Sequence, residues 1–225
     1  MTTATKSVPK KTVTKKKAPV EAVSITPPNF QTVLFLIRGT TPYVQNKFSA
    51  KAKQMMHDTQ EAGPVAKKGK KREAKDFQAC YEGAMHVAEE GWHGIPAPAF
   101  RNALISACKI VGFHMTKAKL SLFIVADGFD PEDGCPLVKI TKGKPEYTEM
   151  FVRNATGVAD LRARPKWNTG WEAELAVQFD ADQFTSEDVA NLLMRVGVQV
   201  GVGEGRPDSP HKYGMGWGLF QIVGR

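Results

Sequence analysis

The chain has 225 residues, with 31 Lys and Arg against 23 Asp and Glu, for a formal net charge of +8. Hydrophobic content of 42% and charged content of 24% are ordinary for a globular body of this length, which excludes a wholly disordered chain and a collagen. No apolar run approaches the ~20 residues that span a bilayer, so a bundle of membrane helices is excluded too.

The charge is uneven. Residues 1–23 hold six Lys and one Glu, and residues 67–75 hold five Lys, one Arg and one Glu, so each run carries +5 and the remainder −2. Such runs attract polyanions, nucleic acid or an acidic surface; the plainer reading is that they only solubilise. Residues 1–28 include four prolines and almost no large apolar side chain, which predicts a disordered basic tail. That tail lacks the apolar h-region of a secretory signal, and Pro9 and Pro19 spoil an amphipathic transit helix. Cys80, Cys108 and Cys135 are widely spaced with no CxxC, so no disulfide framework is expected. Together these predict a cytoplasmic protein with no membrane partner, a tail over 1–28 and one domain over 29–225.

In chain order, Thr32–Arg38 reads as a first strand ending in a Gly39–Pro42 turn. Phe48–Gln60 reads as a helix with Ser49 as its N-cap. A basic loop insertion follows at about 61–75, and residues 76–90 fit either a helix or a strand pair. Gly91–Pro98 reads as a turn. Ala99–Val111 reads as a helix, with Phe100, Leu104, Ala107 and Val111 at helical spacing and Gly112 at C′. Leu120–Val125, Pro136–Ile140, Met150–Val152 and Val158–Arg164 read as strands, with an acidic turn over Asp127–Gly134. Trp171–Phe179 alternates strictly and puts Trp171, Ala173, Leu175, Val177 and Phe179 on one face. Ser186–Val196 reads as a second long helix capped by Thr185 or Ser186, Gly197–Val202 as strand-like, and Leu219–Val223 as the last strand. Helices among mainly antiparallel strands predict an α+β sandwich of ferredoxin-like type.

The most specific segment is the glycine-rich stretch Gly197–Gly218. A dinucleotide fingerprint fails because Arg206 stands where the third glycine belongs and Pro207 and Pro210 preclude a following helix. A phosphate-binding P-loop fails for lack of GK[ST]. What remains is a glycine-lined loop, including Gly203 and Gly205, that carries Arg206, His211 and Lys212. Glycines there either bring the backbone close to an anion or simply solve turn geometry. Trp217 offers a stacking face or points inward.

Three segments in fixed order resemble the RAMP superfamily, which includes RNA-binding backbone subunits of CRISPR effector complexes. They are Ile37–Pro42, Gly94–Leu104, and the helix, strand and glycine-rich loop ending LFQI. A nearer likeness is to a family of phage and prophage proteins with similar TTP…FSAKAK, GVADLRAR and GVGEGRP…GMGWGLF segments. The RAMP resemblance implies an RRM-like antiparallel sheet with packed helices and a glycine-rich loop, RNA held along a groove, and filaments on the strand. It also implies, for a phage-encoded chain, the host cell cytoplasm. Members that cut RNA place an Asp after the first strand; Gly39–Lys47 has no acid, which argues against nuclease activity. Asn102 replaces the glycine typical of the second segment.

The candidate nucleic-acid-binding residues are Arg101, Arg153, Arg162, Arg164, Trp167, Gly203, Gly205, Arg206, His211 and Lys212, together with Lys67, Lys68, Lys70, Lys71 and Arg72. Arg162 and Arg164 lie two apart, so they share one strand face and could bridge phosphates or stack on bases. The competing role is pairing with Asp160, or with Glu172 or Glu174 nearby. Trp171 reads as core and Trp167 as the better stacking residue. His86 and His93 share no metal spacing, so no zinc is expected. Asp127, Asp130, Glu132 and Asp133 miss the EF-hand pattern and read as a solvated turn. Ser49 and Ser106 stand in no nucleophile elbow, Cys108 reads as core, and Met55–Met56 as packing.

The leading expectation is a non-catalytic binder of single-stranded RNA or DNA, without cofactor, that holds the strand on its sheet face and glycine-rich loop, with a homo-oligomer or a filament along the strand as its expected assembly. The alternatives are a RAMP-type RNA endonuclease using His57 or Asp58, and a structural or interaction protein with a basic tail.

Overall fold

The computed structural model describes residues 26–48, 50–61, 63, 74–153, 159–209 and 214–224. The expectations for the tail over 1–25, for Ser49, for Lys67, Lys68, Lys70, Lys71 and Arg72, and for His211 and Lys212 lie outside the described residues.

The first strand, β1 (Phe30–Gly39), is followed by the short β2 (Tyr43–Val44) and helix α1 (Ala50–Glu61). Helix α2 (Phe77–Glu82) is capped by Asp76, whose carboxylate accepts from the Ala79 N–H at 2.9 Å. This settles the ambiguous stretch as one short helix, followed by an isolated bridge between Val87 and His93. Gly94–Pro96, expected as turn, is strand β3, because it pairs with the later β6 (Pro136–Lys142). Helix α3 (Ala97–Ile110) starts at once, with Pro98 in its first turn, where its missing N–H costs nothing.

Helix α4 (Met115–Ser121) takes Leu120 and Ser121 from the expected strand, leaving β4 as Leu122–Val125 and β5 as Gly128–Phe129. The hairpin β7 (Pro145–Arg153) and β8 (Ala159–Trp167) precedes β9 (Glu172–Asp180) and α5 (Ser186–Arg195). Thr185 and Asp188 form a reciprocal capping box at the start of α5. Val196–Val200 is a π-helical turn and not a strand. Its backbone is pressed against the last strand, β10 (Phe220–Gly224): a Cβ on Gly197 would lie 2.2 Å from the Phe220 carbonyl oxygen.

The main sheet has the order β10-β1-β9-β6-β3, all neighbours antiparallel, with β4 also on β9 and β5 on β6. A second sheet has the order β2-β8-β7. The fold is therefore α+β. Helices α3 and α5 cover one face of the main sheet, packing Phe100, Leu104, Val189 and Leu193 on Phe35, Ile37, Leu175 and Val177. All five residues of the alternating β9 face are buried. In α3 the buried stripe includes Ala103 and Cys108, whereas Val111 is the C-cap and 47% exposed. The opposite sheet face stays open, with Leu34 opposite Ala176, Leu36 opposite Glu174 and Arg38 opposite Glu172. Among the described residues, no helix is long and apolar enough to cross a membrane.

Candidate functional site

Arg162 and Arg164 do share one face of β8, as their spacing requires. Arg162 Nε donates to Asp160 Oδ2 at 3.1 Å, the same-face partner foreseen in the sequence. Arg164 finds a different one: its Nε donates to Glu204 Oε2 at 2.7 Å, its Nη1 to the Ala163 carbonyl at 2.9 Å, and it is nearly buried. Arg162 reaches the same Glu204 at 3.8 Å. Lys75, the end of the second basic run, pairs with Asp160 at 2.9 Å. The Lys75 ammonium, followed by Arg162, holds the Asp160 carboxyl below the usual range.

Glu204 thus docks the glycine-rich loop on the hairpin. Its N–H also donates to the Val44 carbonyl at 2.9 Å. The flanking glycines serve that approach. Gly203 (φ +83°) has the Val44 carbonyl oxygen 2.5 Å from where a Cβ would stand, and Gly205 (φ +81°) has the Trp217 ring at 2.9 Å. Trp217 is half-buried in this contact. Arg206 Nη1 donates to the Gly203 carbonyl at 3.1 Å, and Asp208 accepts from Ser106 Oγ of α3 at 2.7 Å. The loop therefore lies against α3.

Trp167 is fully buried against Tyr43 and His93, with ring centroids at 5.4 and 5.8 Å. This corrects the expectation that it offers a stacking face: Pro165 and Trp167 turn inward with Ala163 on the second sheet. Arg101 is also committed internally. Its Nε donates to the Leu122 carbonyl at 3.0 Å, its Nη2 donates to the Lys119 carbonyl, and the guanidinium lies 5.0 Å from the Phe123 ring centroid. It ties the end of α4 to α3. Arg153 ends β7.

What sequence inspection missed is the stretch 97–126. It has Arg101, Lys109, Lys117 and Lys119 and no Asp or Glu. The three lysines are exposed on α3 and α4 and form no ion pair among the described residues. Lys109 lies one turn beyond Ser106, so it shares the α3 face against which the glycine-rich loop rests. The open sheet face is different in kind. Glu174 and Asp180 line it, and Glu172 there is bound by Arg38 at 2.7 Å and Lys142 at 3.2 Å.

A second cluster lies beneath β2. Asp130 is 1% exposed, which corrects the reading of its turn as merely solvated. Lys47 Nζ contacts Asp130 Oδ2 at 2.7 Å and also Glu132, and Asp130 Oδ2 is 2.8 Å from His86 Nδ1. Burial by itself would raise the Asp130 carboxyl, but the Lys47 ammonium, the Glu132 N–H and the His86 ring outweigh it and hold it low. Burial would likewise lower Lys47, and its two carboxylate partners hold it high instead. Beside this triad, His86, Asp133 and Cys135 each present one donor atom within 4.8 Å of the others. A nucleophilic role for Cys135 is unfavourable there, because burial, then the Asp133 and Asp130 carboxylates, push its thiol up. Cys108, in the core as expected, is pushed by burial to about 11. His57, Asp58 and Glu61 form another donor group, fully exposed on α1. Met55 and Met56 are exposed too, at 61% and 52%, and not packed as expected.

Among the described residues the cavity beside Arg101 and Phe123 holds about 150 Å³, below the ~300–1,000 Å³ of small-molecule sites, and an open hollow along Met55, Met56, Thr59 and Gln60 of α1 holds about 320 Å³. No protein-family model matches the chain, and no curated protein matches it.

Proposed function

We propose that the chain is a non-catalytic protein that binds single-stranded nucleic acid through its phosphates, on a ferredoxin-like body of the type the RAMP resemblance implies. The chain order β1–α3–β6–β9–α5–β10 with sheet order β10-β1-β9-β6 supports that body plan. The observation that carries the functional reading is the acid-free α3–α4 surface, where Lys109, Lys117 and Lys119 stand exposed beside a docked glycine-rich loop. In this reading the strand runs along α3 and the loop. Arg206 and Arg162 add phosphate contacts, while Arg164, Arg101 and Trp167 shape the support. The open sheet face sets Arg38 and Lys142 against Glu172, Glu174 and Asp180, so it offers a polyanion no excess of positive charge. The two +5 runs add sequence-independent attraction.

Anisotropy of labelled 30-mer RNA and DNA, titrated with salt, tests it. Replacing Lys109, Lys117 and Lys119 together by Ala should weaken binding and reduce the log–log salt slope by about 2, as three lost single-strand phosphate contacts require. No binding at low salt, or an unchanged slope, would defeat the proposal. The exposed His57, Asp58 and Glu61 group favours an endonuclease as the second reading; labelled RNA that stays intact for hours with Mg²⁺ removes it.

A further inference from the structure

We propose that His86, Asp133 and Cys135 form a binding site for a zinc-class divalent transition-metal ion. The three donor atoms lie within 4.8 Å of one another. Ligands on a tetrahedral ion with bonds of about 2.0–2.3 Å stand about 3.3–3.5 Å apart, so side-chain rotation of about an ångström closes the shell. An imidazole, a thiolate and a carboxylate are the mixed nitrogen, sulfur and oxygen set that zinc and cobalt accept, while calcium and magnesium take oxygen.

The surroundings already orient this set. His86 is buried, and its Nδ1 lies 2.8 Å from Asp130 Oδ2. Asp130 also accepts from Lys47, so it is the ionised acceptor and Nδ1 carries the proton. The lone pair is then on Nε2, as in carboxylate–histidine–metal arrangements. Asp133 and Cys135 come from one closed turn: the Cys135 N–H donates to Asp133 Oδ1 at 3.0 Å, and the Asp130 N–H donates to the Cys135 carbonyl at 2.9 Å. Charge favours a cation as well. Asp130, Glu132 and Asp133 face Lys47 and Lys53, an excess of one negative charge that becomes two with a metal-bound thiolate. Cys135 is half-buried, which leaves a path for entry. Three protein ligands leave one tetrahedral position for water. The ion would pin the 130–135 turn to the segment around His86, two parts of the chain that already meet through Asp130 and Lys47. Nothing in this depends on nucleic-acid binding.

The full-length chain, stripped with a chelator under reducing conditions and titrated with Co²⁺, provides the test. The expected result is one equivalent bound, with visible bands of tetrahedral cobalt and a near-ultraviolet thiolate-to-cobalt band that Zn²⁺ abolishes. Cys135→Ser should remove the thiolate band and Cys80→Ser should retain it. Asp130→Asn, which spares every ligand, should weaken Co²⁺ binding about 10–100-fold. Absence of the thiolate band in the unaltered chain, or its survival in Cys135→Ser with unchanged far-ultraviolet circular dichroism, would overturn the site.

Discussion

Trp167 and Trp171 are both fully buried, but their indole N–H groups are treated differently. Trp171 Nε1 donates to the Thr41 carbonyl at 2.9 Å, whereas Trp167 Nε1 is buried without a partner among the described residues. Phenylalanine removes a similar volume at either position. Trp171→Phe should therefore cost about 1 kcal/mol more than Trp167→Phe, because it also strands the Thr41 carbonyl; equal losses in urea unfolding would contradict this. Asp130 gives a pH signature. Its folded carboxyl is held below the ordinary value of about 3.9, so its contribution is complete above that value and is lost as pH falls through the folded pKa. The stability gap between the unaltered chain and Asp130→Asn should narrow as pH falls below about 4. A gap independent of pH in thermal unfolding would show that the ion pairing contributes nothing.

At the scale of elements, α5 and β9 were legible because each carries its own instructions: strict alternation in Trp171–Phe179, and a cap followed by acids in Thr185–Asp188. The strand expected at Gly197–Val202 failed although Val198, Val200 and Val202 alternate along it, because its path is set by contact with β10 and not by that alternation. The glycine-rich loop is likewise held from outside, by the Glu204 bonds to Arg164 and Val44. Glu204→Ala leaves the nearly buried Arg164 without its carboxylate, which should cost about 1.5–3 kcal/mol. It should also make the 203–209 loop a preferred cleavage site in limited proteolysis. Unaltered stability and cleavage pattern would show that the ion pair does not dock the loop.

For the whole molecule, the question raised by a net charge of +8 is which charges remain available to a partner. Several body cations are consumed: Arg38 and Lys142 on Glu172, Lys47 on Asp130, and Arg164 on Glu204. The proposed interface relies on the lysines of α3 and α4 and on the two basic runs. Deleting residues 1–23, with their six lysines, should reduce the salt slope by up to about 4 without abolishing binding to a 30-mer. A slope unchanged by the deletion would remove the tail from the interaction.

The sequence by itself determined the α+β class, the buried face of β9, three of the four stripe positions of α3, and the uneven charge, because periodicity and composition are local properties that a linear reading contains. The tertiary structure alone decided which polar residues are spent inside the fold. Lys47 meets Asp130 across 83 positions, His86 meets it across 44, and Arg164 meets Glu204 across 40. Ion pairing and ligand grouping depend on distances in space, and no spacing along the chain encodes them. For that reason an arginine pair read as exposed is partly buried, and one acid of the turn read as solvated, Asp130, is buried in an ion-paired cluster while its neighbours stay exposed.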